Sequence, residues 1–291
     1  MSESEELNYK DEEQTWYAPN FPTTDELTPQ QWKPLQQKID VVIMTATEIE
    51  LYSVGKKLDP YPGRKKVLRV NHENGETYFL GNFGEFITAV TKCEMGSGGE
   101  GGSQSAVERA LSAWNPKAII MIGIAFGRDS NKQKIADVLV SSAIICYELQ
   151  RVGEEKTHRG LIVPSDRTLR SLFGHAIDWH FNRPDNSPSK KILGQILSGE
   201  KLVDNLAFKT ELFNRYPDAV GGEMEGAGLY TASQNQGTAW ILVKSICDWG
   251  DGTKSKKYQG LAAAAATSLV HHVLSQETAL EGIVKKKPLI H

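Results

Sequence analysis

Cysteine is scarce: Cys93, Cys146 and Cys247 are the three cysteines in a chain of 291 residues, and they are far apart. An odd, scattered set builds neither a disulfide framework nor a C-x-x-C metal pattern, and it suits a reducing compartment. No His/Cys/Asp cluster has metal-ligand spacing, so no metal and no cofactor is expected, and His271-His272 reads as a surface pair. Long apolar runs are also lacking; none approaches the ~20 residues that span a bilayer. The opening Met1-Ser2-Glu3-Ser4-Glu5-Glu6 is acidic where a secretory signal is basic and then apolar. An excess of positive charge is missing as well. The formal net charge is −3, which argues against a general nucleic-acid or acidic-membrane binder. These absences leave a soluble cytoplasmic protein as the expectation.

What is present is ordinary globular composition, with 40% hydrophobic and 24% charged residues, enough for a real core. The charge is unevenly spread. Residues 1–38 hold eight carboxylates against three lysines, a net of −5, which leaves +2 for the remainder. With Pro19, Pro22, Pro29 and Pro34 and no periodicity, this segment reads as an extension outside the fold. Trp16, Tyr17, Phe21 and Trp32 leave two readings open: a disordered leader, or an arm that docks on its own domain or on a neighbouring subunit. The expected organisation is thus an extension over 1–38, one domain over 39–278 and a basic tail over 279–291.

Within the domain, Ile39–Met44, Ala118–Ile122, Asp137–Tyr147 and Trp240–Ile246 read as buried strands. Helices are expected at 103–113, 205–215, 223–235 and 258–276, with hairpin turns at Asn74-Gly75 and Gly81-Asn82; residues 153–198 are less regular. Buried strands alternating with helices predict an α/β domain with a largely parallel or mixed sheet.

Ligand crevices in such sheets lie beyond the carboxyl ends of strands, and four polar clusters fall there. Glu48 and Glu50 follow the first strand, where acids also favour the first turn of a helix. Gly96 to Gly102 could present N–H groups to an anion or be a flexible turn; it is neither a Walker nor a Rossmann fingerprint. Glu223 and Glu225 lie among glycines and read either as helix caps or as ligand groups. Asp248 ends the last strand beside Trp249, as a proton donor or as a cap.

Taken together, Met44-Thr45-Ala46-Thr47-Glu48-Ile49-Glu50, Gly96-Ser97-Gly98, Gly123-Ile124-Ala125-Phe126-Gly127, Leu197-Ser198-Gly199-Glu200-Lys201-Leu202-Val203, Gly222-Glu223-Met224-Glu225-Gly226-Ala227 and Val243-Lys244-Ser245-Ile246-Cys247-Asp248 resemble, in that order, the purine nucleoside phosphorylase / methylthioadenosine nucleosidase superfamily. The resemblance covers roughly residues 39–276. The pattern is more similar to nucleosidase domains of bacterial antiphage systems, some of which cleave ATP, than to salvage enzymes.

The resemblance implies a three-layer α/β fold with a mixed, partly barrel-like sheet, and a homo-oligomer. It implies scission of a purine N-glycosidic bond, which requires protonating the base, stabilising an oxocarbenium-like cation and aiming a nucleophile. By the motif match Asp248 protonates purine N7, a task an apolar setting such as Trp249 favours; Glu225 holds the ribose hydroxyls and Glu50 orients the attacking water. Met224 packs on the sugar, and Leu202 and Val203 bind the adenine edge through their backbone. Gly96, Ser97 and Gly98 lie beside the ribose or phosphate. Glu223, Ala125, Phe126, Lys244 and Trp249 complete the expected substrate contacts. Three departures stand out: Cys247 for serine, which removes a hydroxyl that orients the acid, Lys244 for arginine and Ile124 for serine. The last two, with Glu50, favour water over phosphate. Adenine is the expected base. For the 5′ group, Arg128, Lys132, Lys134, Arg151, His158 and Arg159 are candidate phosphate ligands or plain surface charge. The expectation is hydrolysis of adenine nucleotides, ATP included, or nucleosides, with the N-terminal extension as a regulatory or assembly arm. A methylthioadenosine/adenosylhomocysteine-type salvage enzyme, a phosphorylase and a catalytically silent nucleotide sensor are the alternatives.

Overall fold

The computed structural model describes residues 21–148, 150–152, 156–158, 160–253 and 256–283, the two short strands between 150 and 158 by backbone alone. Arg151, His158 and Arg159, Trp16 and Tyr17, and the tail lysines Lys285–Lys287 therefore lie outside what is described of side chains.

In chain order the strands are β1 (Thr24–Glu26), β2 (Val41–Thr45), β3 (Val67–Asn71), β4 (Thr77–Phe83), β5 (Phe86–Lys92), β6 (Ala118–Gly127), β7 (Val138–Cys146), β8 (Gln150–Val152), β9 (Lys156–His158), β10 (Ile162–Pro164), β11 (Lys191–Ser198), β12 (Ala219–Glu223) and β13 (Ala239–Asp248). After a short helical stretch over 29–38 come the helices α1 (Glu48–Gly55), α2 (Ser103–Trp114), α3 (Arg167–His175), α4 (Leu206–Arg215), α5 (Gly226–Gln236) and α6 (Gln259–Leu274). Eleven strands form one mixed sheet in the order β1-β3-β4-β5-β2-β6-β12-β11-β7-β10, with β13 pairing both β6 and β7. The ring β6-β12-β11-β7-β13 therefore closes on itself as a five-stranded barrel. Closure removes the edges that an open sheet would leave unpaired. The mixed, partly barrel-like α/β architecture expected from the motifs is the one observed.

Every residue of β2 and of β13 is buried. Strands covered on both faces lose the polar alternation of a half-exposed sheet, so β2 and the first half of β13, Ala239 to Val243, read as apolar runs. One core lies between the barrel and α1, α3 and α6, holding Val54, Phe173, Leu261 and Leu269; a second lies under α2 and α5, with Val107, Leu111 and Leu229. A third, smaller core packs Phe213 and Tyr216 of the α4 region against Phe126 and Tyr147. α2 stops at Asn115, in the left-handed conformation (φ 45°), with Pro116 behind it.

The structure refines several expectations. The β4–β5 turn is at Gly84 (φ 63°), not at Gly81-Asn82, because β4 continues to Phe83. Gly81 is instead a close-approach position, where a Cβ would stand 2.3 Å from the Asp59 carbonyl. The irregular 153–198 region holds α3 and β11, and the expected helix at 223 begins at Gly226, because 219–223 is β12. The N-terminal segment also reaches into the fold. β1 pairs in parallel with β3, the Phe21 ring lies 4.4 Å from that of Phe79, and Trp32 is 1% exposed within the second core. At the other end Ala279, Leu280 and Ile283 are buried.

Candidate active site

β2, β6 and β13 run parallel, so their carboxyl ends open on the same side of the molecule. There a cleft enclosing about 600 Å³ of open space is lined by Glu50 after β2, Ile124, Ala125 and Phe126 from β6, and Cys247 and Asp248 from β13. Met224 and Glu225, between β12 and α5, lie on its wall with Glu223, as do Lys201, Leu202 and Val203 after β11.

Glu50 serves two purposes at once. It is the third residue of α1, and its Oε2 accepts the amides of Ala46 (2.7 Å) and Thr47 (2.8 Å) in a capping box with Thr47. Its Oε1 accepts Ile124 N–H at 2.8 Å. The cap does not take this residue out of the cleft: the helix start fixes a buried carboxylate on its lining. Glu223 behaves similarly at α5. Its oxygens accept the amides of Glu225 (2.8 Å) and Gly226 (3.0 Å), which turns the Glu225 side chain away from the helix end. Glu225 Oε2 instead takes Lys244 Nζ at 2.8 Å, and its Oε1 accepts Gly96 N–H at 3.2 Å.

Lys244 is 0% exposed and lies beneath the cleft rather than on its surface. Its ammonium is 2.8 Å from Glu225 and 3.6 Å from Glu223. The approach to Glu50 depends on Gly123, paired with Lys244 across β6 and β13. A Cβ there would stand 2.4 Å from Glu50 Oε1 and 2.8 Å from Lys244 Nζ. One ammonium thus faces three carboxylates in a dry setting, where charges interact strongly. Burial would lower the Lys244 pKa, but Glu225, Glu50 and Glu223 outweigh it and hold the ammonium well above the ordinary lysine range. Burial raises Glu50 against the pull of Lys244, and the charge of Glu225 adds to the rise. Glu223 is pushed up to about 7 by burial. Glu225 goes the other way: burial opposes its charge, but Lys244's charge and hydrogen bond hold it below the usual carboxylate range. The cluster therefore favours the charged form of Glu225, while burial favours the protonated form of Glu50 and Glu223.

Asp248, the last residue of β13, also lines the cleft and is 8% exposed. Its Oδ1 accepts Gly250 N–H at 2.9 Å, and its Oδ2 accepts the Cys247 thiol at 3.2 Å. The orienting hydrogen bond expected to be lost with serine is supplied by the thiol. Trp249 is half-buried against the second core, and its ring covers Gly127, where a Cβ would come within 2.6 Å.

Of the residues expected from sequence, Glu50, Ala125, Phe126, Leu202, Val203, Glu223, Met224, Glu225 and Asp248 line the cleft together. Gly96 and Ser97 lie behind the wall, gripping it through Glu225 and through Ser97 Oγ to the Met224 carbonyl (3.0 Å). Gly98 has no group within 4 Å of a notional Cβ, and Lys244 and Trp249 act from outside the lining. Met95, Lys201 and Gln259 also line the cleft and were not expected. Met95 carried a readable signal, a large apolar residue at the head of a glycine-rich loop, whereas Gln259 carried none. Among the described residues no group of three His, Cys, Asp or Glu side chains could hold a metal ion, and no helix is long and apolar enough to cross a membrane.

A family model described as the phosphorylase superfamily matches residues 40–275. A death domain-containing ATP nucleosidase of Amphimedon queenslandica is 30% identical over 262 residues, covering 82% of this chain and 49% of that protein. The ATP nucleosidase Cap17 of Escherichia coli (strain KTE188) is 24% identical over 249 residues, 78% of this chain and 49% of its own. The chain thus spans about half the length of these curated relatives. Among solved structures, a 5′-methylthioadenosine/S-adenosylhomocysteine nucleosidase of Colwellia psychrerythraea in complex with adenine superposes with a TM-score of 0.68 at 19% identity, over 82% of this chain and 96% of that one.

Proposed function

The chain belongs to the phosphorylase superfamily, and on that premise we propose that it hydrolyses the N-glycosidic bond of adenine nucleotides, ATP among them, or nucleosides. The observation that carries this reading is the set of acids brought to one cleft. Glu50, Glu223 and Glu225, with Lys244 beneath them, and Asp248 at the end of β13 meet there. A nucleoside laid across it places the glycosidic carbon near the cluster and the base toward Asp248. Asp248 then gives its proton to N7 as the C1′–N9 bond breaks, and the base leaves neutral. Glu225, ionised and fixed by Lys244 and Gly96 N–H, accepts hydrogen bonds from the ribose hydroxyls, and its charge stabilises the cation developing at the sugar. Glu50, raised by burial yet held by three amides, takes the proton of the water that attacks C1′. The names of the relatives support ATP as a substrate. On this reading the protein removes adenine from the nucleotide pool, as an antiphage effector would.

A second reading has its own observation. Met95, 64% exposed, and Leu202, 58% exposed, give the cleft an apolar rim. Such a rim suits a methylthio substituent better than a phosphate chain. The test is free adenine, followed by chromatography, from ATP, AMP, adenosine and methylthioadenosine without added phosphate. Release from ATP or AMP, reduced about 10²–10⁴-fold by Asp248→Asn, is the expected result. Release from methylthioadenosine alone would replace it with the second reading.

A further inference from the structure

The glycine-rich loop that could hold an anion already holds one of the protein's own. Ser97 N–H donates to both oxygens of Glu200, at 3.1 and 3.2 Å. The neighbouring amide, Gly96 N–H, donates to Glu225. Glu200 lies flat over Gly96: with φ at 91° and no side chain, the glycine lets Oε2 approach to where a Cβ would be only 2.7 Å away. The placement is fixed from the other side as well. Glu148 Oε1 accepts Glu200 N–H at 3.1 Å while its Oε2 pairs with Lys201, and Gly199 rests against the Tyr147 ring, which leaves 2.3 Å for a Cβ.

We propose that Glu200 determines the acceptor of the reaction: its carboxylate fills the anion position of the glycine-rich loop and so reserves the sugar for water against inorganic phosphate. This rests on the N-glycosidase reading above. Backbone N–H groups in a glycine loop attract anions, and the Ser97 amide adjoins the one that grips Glu225. A phosphate bound there would stand beside Glu225, the carboxylate that the reading above gives to the ribose hydroxyls. To enter, it must displace Glu200 and stand among Glu225, Glu94 (packed on Gly101) and Glu200 itself. It finds no compensating cation in the cluster, because Lys244 is buried and engaged with Glu225 and Glu223. Water, being neutral, meets no such barrier. In phosphorolysis the C1′–N9 bond breaks, an oxygen of hydrogen phosphate bonds to C1′, and the proton of hydrogen phosphate ends on the leaving base; the products are free base and ribose 1-phosphate.

The test compares wild type, Glu200→Ala and Glu200→Gln acting on adenosine, with and without inorganic phosphate, and reads the ratio of ribose 1-phosphate to ribose by phosphorus NMR and sugar chromatography. Glu200→Gln keeps an acceptor for Ser97 N–H and removes the charge. The ratio should be near zero in wild type and rise by about tenfold or more in both variants, since relief of like-charge contact is a large effect. Calorimetry with inorganic phosphate alone should show binding to the variants and none to wild type, whatever the turnover. Variants that stay folded, make no ribose 1-phosphate and bind no phosphate overturn the proposal, as does wild type that binds phosphate equally well. If wild type releases no base from any nucleoside or nucleotide, the hydrolase reading fails, and phosphate binding still decides the role of Glu200.

Discussion

Lys244 and its three carboxylates concentrate buried charge at the scale of single residues, and their proton balance has a consequence for stability. Glu223 is held at about 7 by burial, against a value near 4.5 in the unfolded chain. Between those values the folded protein binds a proton at Glu223 that the unfolded chain does not, so this group's contribution is complete below about 4.5 and is lost as pH rises through about 7. Glu225 has the opposite sign. Its depressed value stabilises the fold above the ordinary carboxylate range and is lost on acidification. Glu223→Gln should therefore flatten the fall in Tm between pH 5 and 7 relative to wild type, while leaving the acid limb that Glu225 sets. Parallel Tm–pH curves for the two proteins in that window would show that Glu223 does not carry the proton. Sequence exposed the identities of these residues but not their arrangement. Glu50 and Glu225 stood in recognisable motifs, yet nothing in the order of residues says that Lys244 lies under both, or that Gly123 is vacant for that contact.

At the scale of elements, legibility followed burial. β2, β6 and β13 were readable because their faces are covered and each carries an apolar run of four or more residues. β11 was not, because Gly194 interrupts it where the register with β7 shifts, and because Lys191 and Gln195 give it polar positions. The N-terminal segment left two readings open for a related reason: acid charge and prolines hide a single large anchor. Trp32 packs 4.5 Å from His72 and 6.2 Å from Trp114, with Tyr78 completing the cluster, and β1 then adds to the sheet edge beside β3. Removing a buried aromatic side chain of this kind costs about 3–5 kcal/mol. Trp32→Ala should thus lower stability by that order in denaturant titration, whereas substitution of the exposed Gln30 should leave it within ~0.5 kcal/mol. Equal stabilities for Trp32→Ala and wild type would return the segment to the status of an appendage.

The whole molecule separates a rigid ring from what is hung on it. Glu223 and Asp248 end strands of the closed barrel and Lys244 lies within one, so these cleft groups are carried by strands with a partner on each side. Glu200 and Ser97 sit on connections just outside the ring, and β1 and β10 lie at the two ends of the sheet path, each with a single partner strand. Local opening costs least where few buried contacts are lost, so the two ends of the sheet should open before the ring does. Hydrogen exchange tests this ordering directly. Amides of β6 and β13 should exchange only on global unfolding, those of β1 and β10 well before, and the amides around Ser97 and Glu200 in between. A ligand that bridges the cluster and Asp248 should slow the intermediate class most, because the ring is already near its limit. If β13 exchanges as fast as β1, ring closure does not hold the site, and the positions of Lys244 and Asp248 must be maintained by the helices α1 and α6 packed outside it.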